Sequence, residues 1–272
     1  MPPSAWSAED FAPVAGMLRG HPWALAHGLE LVRARLQARL RAEGIGSFGE
    51  FFERELRGRV GGPGMQVLID VCTINHTAFF REPETLDLVA DALAARLAGA
   101  PSRAWSAGCS GGQEPYSLAI LLAERLAPPA LARLEIEASD VALGMVRGGA
   151  RGVYSRAEVA GVTPARLRRH FLRGRGPRAG SVRVAPEIRR MVRFRHHDLR
   201  DPAWPVADSL DAILCRNTAI YFAEPDRITL LRRLAESLRP GGLLAVGRSE
   251  ILGALPPALE PAGPSLYRRV AP

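Results

Sequence analysis

The chain has 272 residues and a formal net charge of +8, from 36 basic and 28 acidic residues, and every basic residue is arginine. With 24% charged and 47% hydrophobic residues it reads as globular, which excludes wholesale disorder, and no run of 18 apolar residues is present to cross a membrane. Three cysteines, Cys72, Cys109 and Cys215, are an odd number with no metal-ligand spacing, so neither a disulfide framework nor a metal site is expected and a reducing compartment fits.

The N-terminal MPPSAWSAEDFAP lacks a basic region followed by an apolar stretch and does not read as a signal peptide. Residues up to about 85 read as helical. Leu25, Leu29, Val32, Leu36 and Leu40 recur at the helical period. The other faces carry Arg33, Arg35, Arg39 and Arg41 with no acid among them, which suits either a solvated face or an acidic partner. Gly58–Gly64 reads as a loop.

From about Ser102 strands and helices alternate. Strands are expected at Arg103–Ala107, Leu134–Ser139, Val192–Arg195, Leu210–Cys215, Leu243–Gly247 and Ser265–Val270, with helices over Pro115–Leu126 and Asp226–Leu238. Such alternation argues for a parallel sheet covered by helices. Gly161–Arg193 breaks the rhythm with turn residues between short β-prone pieces and reads as an inserted antiparallel hairpin. The expected organisation is a helical domain over 1–85 and an α/β domain over 86–272, with the insert at about 165–195.

Five segments have the composition of a site. Ser106–Glu114 (SAGCSGGQE) sets glycines between a strand and a helix, where a ligand can approach backbone closely. It is neither a dinucleotide fingerprint nor a P-loop. Asp140 ends the second strand, a place for an acid on ribose hydroxyls or for a helix N-cap. Asp198, past the third strand, suits an exocyclic amine or an ordinary loop. Thr73–Glu82 (TINHTAFFRE) is too polar at Asn75, Thr77 and Arg81 to be only core, while Phe79 and Phe80 read as core anchors. Cys215–Phe222 (CRNTAIYF) places Asn217 and Tyr221 beyond the carboxyl end of the fourth strand, where ligands bind in open sheets. His196 and His197 are adjacent on a strand and read as a surface pair.

Taken together, these segments resemble the CheR family, the S-adenosylmethionine-dependent glutamate methyltransferases of bacterial chemoreceptors. The resemblance rests on Thr73, Asn75, Thr77, Phe79, Phe80 and Arg81. It continues through Ala107, Cys109, Ser110, Gly112, Glu114, Pro115, Tyr116 and Ser117, then Ser139, Asp140, Gly152 and Tyr154. Phe171, Arg173, Gly174 and Gly176, then Cys215 through Phe222, then Pro240 to Glu250 complete it, in order over about Leu29–Tyr267.

The resemblance implies a small all-α domain followed by a Rossmann-like methyltransferase domain, a mostly parallel seven-stranded sheet with a three-stranded antiparallel β insert. It implies S-adenosylmethionine as cofactor, S-adenosylhomocysteine as product and receptor glutamates as substrate. Asn75, Thr77 and Arg81 would reach the methionine end of the cofactor and the reaction centre. Gly108 would lie in the cofactor turn, Glu114 near the methionyl group, Asp140 on the ribose and Asp198 on the adenine amine. Asn217 and Tyr221 would line the transfer pocket, with Arg81 and Tyr221 catalytic. Arg35, Arg39 and Arg41, with Arg173 and Arg175 on the insert, would meet the cytoplasmic helical domain of the receptor, and the insert is a candidate seat for a receptor C-terminal peptide. A cytoplasmic monomer is expected, with no nucleic-acid partner and no membrane insertion.

Departures from the family pattern are Gln113 for an acid, Ala142 for a second aspartate, Arg248 for a histidine, and Gly144, Gly148 and Gly149 in the following helix. The alternative reading is a catalytically weak CheR-like adaptor. A nucleic-acid methyltransferase is disfavoured, because no Asp/Asn-Pro-Pro-aromatic tetrad and no RNA-binding module is present. The charge is also local. Residues 147–197 hold 14 arginines against Glu158 and Glu187, net +12, which reads as a docking surface for acidic helices.

Overall fold

The computed structural model describes residues 5–18, 28–59, 62–73, 76–204, 209–250 and 255–271. The chain packs as two compact units, Met1–Ile74 with Tyr221–Ala223, and Asn75–Ile220 with Glu224–Pro272.

The first unit is helical: Ala8–Leu18, Leu29–Ala42, Phe48–Phe51 continuing as a wider turn over Phe52–Leu56, and Pro63–Cys72. Its core joins Phe11, Val14, Val32, Leu36, Leu40, Phe48 and Leu68. The buried Asp10 carboxylate accepts from the amides of Phe48 (2.8 Å) and Gly49 (2.9 Å), satisfying orphan donors at a helix start. Leu25, read as the first residue of the second helix, lies outside the described residues. Pro63 starts a helix, so the glycine-rich loop ends before it.

The described residues of the second unit form ten strands. They are β1 (Ser102–Ala107), β2 (Leu134–Asp140), β3 (Val153–Ser155), β4 (Phe171–Arg173), β5 (Ser181–Val184), β6 (Val192–His196), β7 (Leu210–Cys215), β8 (Leu238–Val246), β9 (Leu259–Gly263) and β10 (Leu266–Arg269). Seven form one sheet in the order β6-β2-β1-β7-β8-β10-β9. Pairing is parallel from β6 to β8, and β10 runs antiparallel between β8 and β9. All six residues of β7 are buried, as a strand covered on both faces requires.

Strand β9 is absent from the sequence reading because Pro261 and Gly263 interrupt it. It lies at the sheet edge, where a missing N–H is tolerated. The inserted hairpin is a three-stranded sheet in the order β3-β5-β4. Its first strand begins at Val153, upstream of the 165–195 window, and Val192–His196 is the main-sheet strand expected at Val192–Arg195.

Candidate functional site

In a sheet ordered β6-β2-β1-β7-β8, direction of travel reverses between β1 and β7. The crevice beyond the carboxyl ends of those two strands is where ligands bind. Each chain segment leaving that edge is fixed by its own hydrogen bonds.

The first turn leaves β1. Gly108 and Gly112 have φ of 85° and 89°, and Ser110 between them has φ 47°. A Cβ on Gly108 would fall on the Thr218 hydroxyl in the turn after β7, so only glycine lets the two turns meet. A Cβ on Gly112 would stand 2.8 Å from Phe194 Cζ and 3.1 Å from the Tyr154 hydroxyl. The Ser139 carbonyl, near the end of β2, accepts from the amides of Gly108 (2.8 Å) and Cys109 (2.9 Å). Tyr154 braces this turn by donating to the Gly111 carbonyl (2.7 Å), while Tyr116 donates to the Gly149 carbonyl (2.8 Å) in the helix after β2. Burial pushes the Tyr116 phenol up to about 12, so it remains a donor at neutral pH.

Asp140, at the end of β2, accepts from the amides of Ser110 (2.8 Å) and Ala142 (2.9 Å). Ala142 itself occupies the N-cap of the helix Leu143–Arg151. Among the described residues no side chain caps that helix; Asp140 instead ties the Ala142 turn to the turn after β1. The helix after β1, Gln113–Arg125, presents Glu114. Its carboxylate accepts from Ser106 Oγ (2.7 Å) and from Arg216 Nη1 (3.2 Å). Burial raises the Glu114 pKa, opposed by the Arg216 charge and the Ser106 hydrogen bond. Gln113 is buried, and its Oε1 has no hydrogen-bond partner among the described residues.

After β7 the chain turns at Asn217, whose φ is 56°. The buried Glu250 carboxylate holds that turn, accepting from the amides of Gly247 (2.6 Å), Asn217 (2.7 Å) and Ile220 (3.2 Å). A Cβ on Gly247 would lie 2.5 Å from Asn217 Nδ2. Arg216, its side chain 2% exposed, reaches Glu114, Glu82 (3.1 Å) and the Arg81 carbonyl (2.6 Å).

Arg81 is exposed, with Nη1 on the His76 carbonyl (3.1 Å). Beside it Phe79 is buried, edge-on to Tyr154 (4.9 Å) and Phe171 (5.4 Å). Thr77 is half-buried. Asn75 lies outside the described residues.

Asp198 follows β6 and is taken by Arg200, whose Nε lies 3.0 Å from both carboxylate oxygens and whose amide also donates to it (2.9 Å). Burial would raise its pKa, but the Arg200 hydrogen bonds and charge outweigh burial and lower it. Tyr221 is half-buried at the end of the turn Ala219–Tyr221.

The arginines divide. Arg35 donates to the Val71 carbonyl (3.4 Å), Arg39 pairs with Glu43, and Arg41 stacks over Trp6 at 5.3 Å. Glu30 pairs with Arg33 (2.6 Å), so acids at both ends of that helix neutralise part of its basic face. Arg173 and Arg175 are exposed, without an acidic partner among the described residues. The histidine pair is not a surface pair: His196 is exposed, but His197 is buried at 9%.

Two groups of residues escape the sequence reading. Glu82, Arg216 and Glu250 lie inside quoted motifs, but nothing in spacing reveals that they fix neighbouring backbone. The signal available was two acids and an arginine within otherwise apolar or glycine-rich motifs. Arg200, two residues after Asp198, was readable as an ion-pair partner.

A seven-stranded sheet of this order, with an antiparallel strand between β8 and β9 and a glycine turn after β1, defines a Rossmann-like S-adenosylmethionine-dependent methyltransferase. The chain belongs to the CheR family: the family model described as "CheR methyltransferase, SAM binding domain" matches residues 75–263. "Chemotaxis protein methyltransferase 2" of Pseudomonas aeruginosa is 42% identical over 229 residues, covering 81% of this chain and 78% of its own. "Chemotaxis protein methyltransferase" of Salmonella typhimurium is 36% identical over 241 residues, covering 89% and 82%. Its Escherichia coli counterpart is 37% identical over 241 residues, covering 89% and 83%. No helix among the described residues is long and apolar enough to cross a membrane.

Proposed function

We propose that the chain methylates glutamate side chains of chemoreceptors in the cytoplasm, acting as a monomer, with Arg81 and Tyr221 at the reaction centre. One observation carries the reading. Three turns, at Gly108–Gly112, Asp140–Ala142 and Arg216–Ile220, are each fixed by hydrogen bonds at one end of the sheet. Glu114, Asp140 and Asp198 follow β1, β2 and β6 at that end, Glu114 paired with Arg216 and Asp198 with Arg200. A close-approach glycine turn with a carboxylate at the end of the neighbouring strand fits a nucleoside-bearing cofactor such as S-adenosylmethionine.

Asn75, Thr77 and Glu114 would hold its methionyl part, Asp140 the ribose and Asp198 the adenine amine, with Asn217 lining the transfer pocket. When bound, the cofactor supplies a methyl group made electrophilic by a sulfonium. A substrate glutamate, with a reference pKa of about 4.3, is already ionised at pH 7, so the chain needs no strong general base. Its task is alignment and exclusion of water. The Arg81 guanidinium donates to one oxygen of the incoming carboxylate, and the Tyr221 hydroxyl steers the other. The arginines of the helix Leu29–Ala42 and of the insert meet the acidic helices of the receptor, and the insert takes a receptor C-terminal peptide.

The test is incubation with labelled S-adenosylmethionine and receptor-bearing membranes. Base-labile methyl esters are expected on receptors with the wild-type chain. With Arg81→Ala, label falls by about 100-fold or more, on the scale set by a lost positioning group, while the melting temperature holds. Normal turnover by Arg81→Ala removes Arg81 from the reaction centre.

A further inference from the structure

Arg81 sits between two strained residues. Phe80 has φ 56° and Glu82 has φ 49°, and both carry side chains in the left-handed region, where Cβ crowds the backbone. Two such residues flanking one position persist only if their surroundings hold them.

Phe80 is tied by its amide, which donates to Ser117 Oγ (2.8 Å), and that hydroxyl donates onward to the Gln113 carbonyl (2.6 Å). On the other side Arg216 donates through one nitrogen to the Arg81 carbonyl (2.6 Å) and to Glu82 Oε2 (3.1 Å). The same Glu82 oxygen accepts from the Arg248 amide (3.3 Å), and Glu82 Oε1 lies 3.9 Å from Arg81 Nε. A single carboxylate thus touches the buried arginine on one side and the exposed arginine on the other. Arg216 keeps a second acid, Glu114, so losing the Glu82 carboxylate does not leave its guanidinium uncompensated.

We propose that Glu82 is a positioning residue, clamping the Phe80–Glu82 turn to Arg216 so that Arg81 faces the substrate carboxylate. The clamp rests on the reading of Arg81 given above, and the experiment separates the two. Amide exchange by mass spectrometry and receptor methylation are measured for the wild-type chain and for Glu82→Ala, Glu82→Gln and Arg81→Ala.

In Glu82→Ala, amides 79–82 are expected to exchange at least about tenfold faster, while β1 and the helix Gln113–Arg125 keep wild-type protection. The same variant loses about tenfold or more in kcat, as a misplaced reacting group would. Glutamine keeps an oxygen that accepts from Arg216, so Glu82→Gln restores both readouts to within about threefold. Wild-type exchange over 79–82 in Glu82→Ala overturns the clamp, as does faster exchange spread evenly over the whole unit. Failure of Glu82→Gln to restore kcat also overturns it. Normal methylation by Arg81→Ala removes the reading of Arg81, and local exchange in Glu82→Ala then still reports whether the turn is clamped.

Discussion

His170 and His197 are buried at 4% and 9% exposure. Burial lowers the His170 pKa, with Arg169 acting the same way and Glu124 and Glu187 opposing. Burial also lowers that of His197, with Arg233 and His196 adding to it and Asp201 and Asp198 opposing. Both imidazoles therefore stay neutral in the fold at a pH where the unfolded chain already binds protons. As pH falls through the unfolded value of about 6.5 the unfolded state gains protons first, and stability is lost. Melting temperature is expected to drop between pH 7 and pH 6, with a shallower slope in a His170→Gln, His197→Gln double variant. An unchanged slope would show that neither histidine is held neutral. The burial of His197 was not legible in the sequence, because strand alternation ends at His196 and the ring follows the loop instead. Residues with distinctive chemistry, such as Arg81, Asp140 and Asn217, stood out from apolar or glycine-rich neighbours. Glu250 and Arg216 did not, because their work is to satisfy backbone atoms that only the folded turn brings together.

At the scale of the element, propensity alone would have each of the three glycines of Leu143–Arg151 weaken the helix. The structure separates two of them. A Cβ on Gly148 would meet only Arg151 Nη2, at 3.8 Å, whereas one on Gly149 would lie 2.5 Å from Phe194 Cε1 on β6. The helix packs on that ring, and Gly149 is the contact. Gly148→Ala is expected to stabilise the chain by about 0.5–1 kcal/mol through helix propensity. Gly149→Ala is expected to destabilise it by about 1–3 kcal/mol through overpacking. Urea unfolding measures both, and Phe194→Leu should recover part of the Gly149→Ala loss. A destabilising Gly148→Ala would sink this account. The main strands were legible because buried parallel strands are apolar runs between turn signals. Strand β9 and the three-residue strand β3 were not, since proline and shortness erase that signal while edge position and pairing with β5 still allow a ladder.

Across the whole molecule, the basic excess is local. At the carboxyl edge of the main sheet Glu114 and Asp198 are matched by Arg216 and Arg200, while residues 147–197 carry net +12. Part of that excess is spent internally. Arg166 pairs with Glu124 (2.9 Å), Arg195 with Glu137 (2.9 Å) and, more loosely, Arg193 with Glu135 (3.6 Å). Arg173, Arg175 and Arg178, on and beside β4, are exposed and have no such partner among the described residues. These three are among the exposed charges free to meet an acidic helix, and a guanidinium is built for carboxylates. Contacts between exposed charges act mainly on encounter and are screened within about 8–10 Å at physiological salt. Receptor methylation by the wild-type chain should therefore fall as salt rises. Reversal of all three to glutamate should lower kcat/KM for receptor by about tenfold or more at low salt, converging on wild type at high salt. Affinity for S-adenosylmethionine, measured by calorimetry, should stay within about twofold, since the substituted residues lie on the insert and screening weakens their reach. Equal receptor methylation by the reversed and wild-type chains at low salt would mean that the arginine cluster has no part in docking.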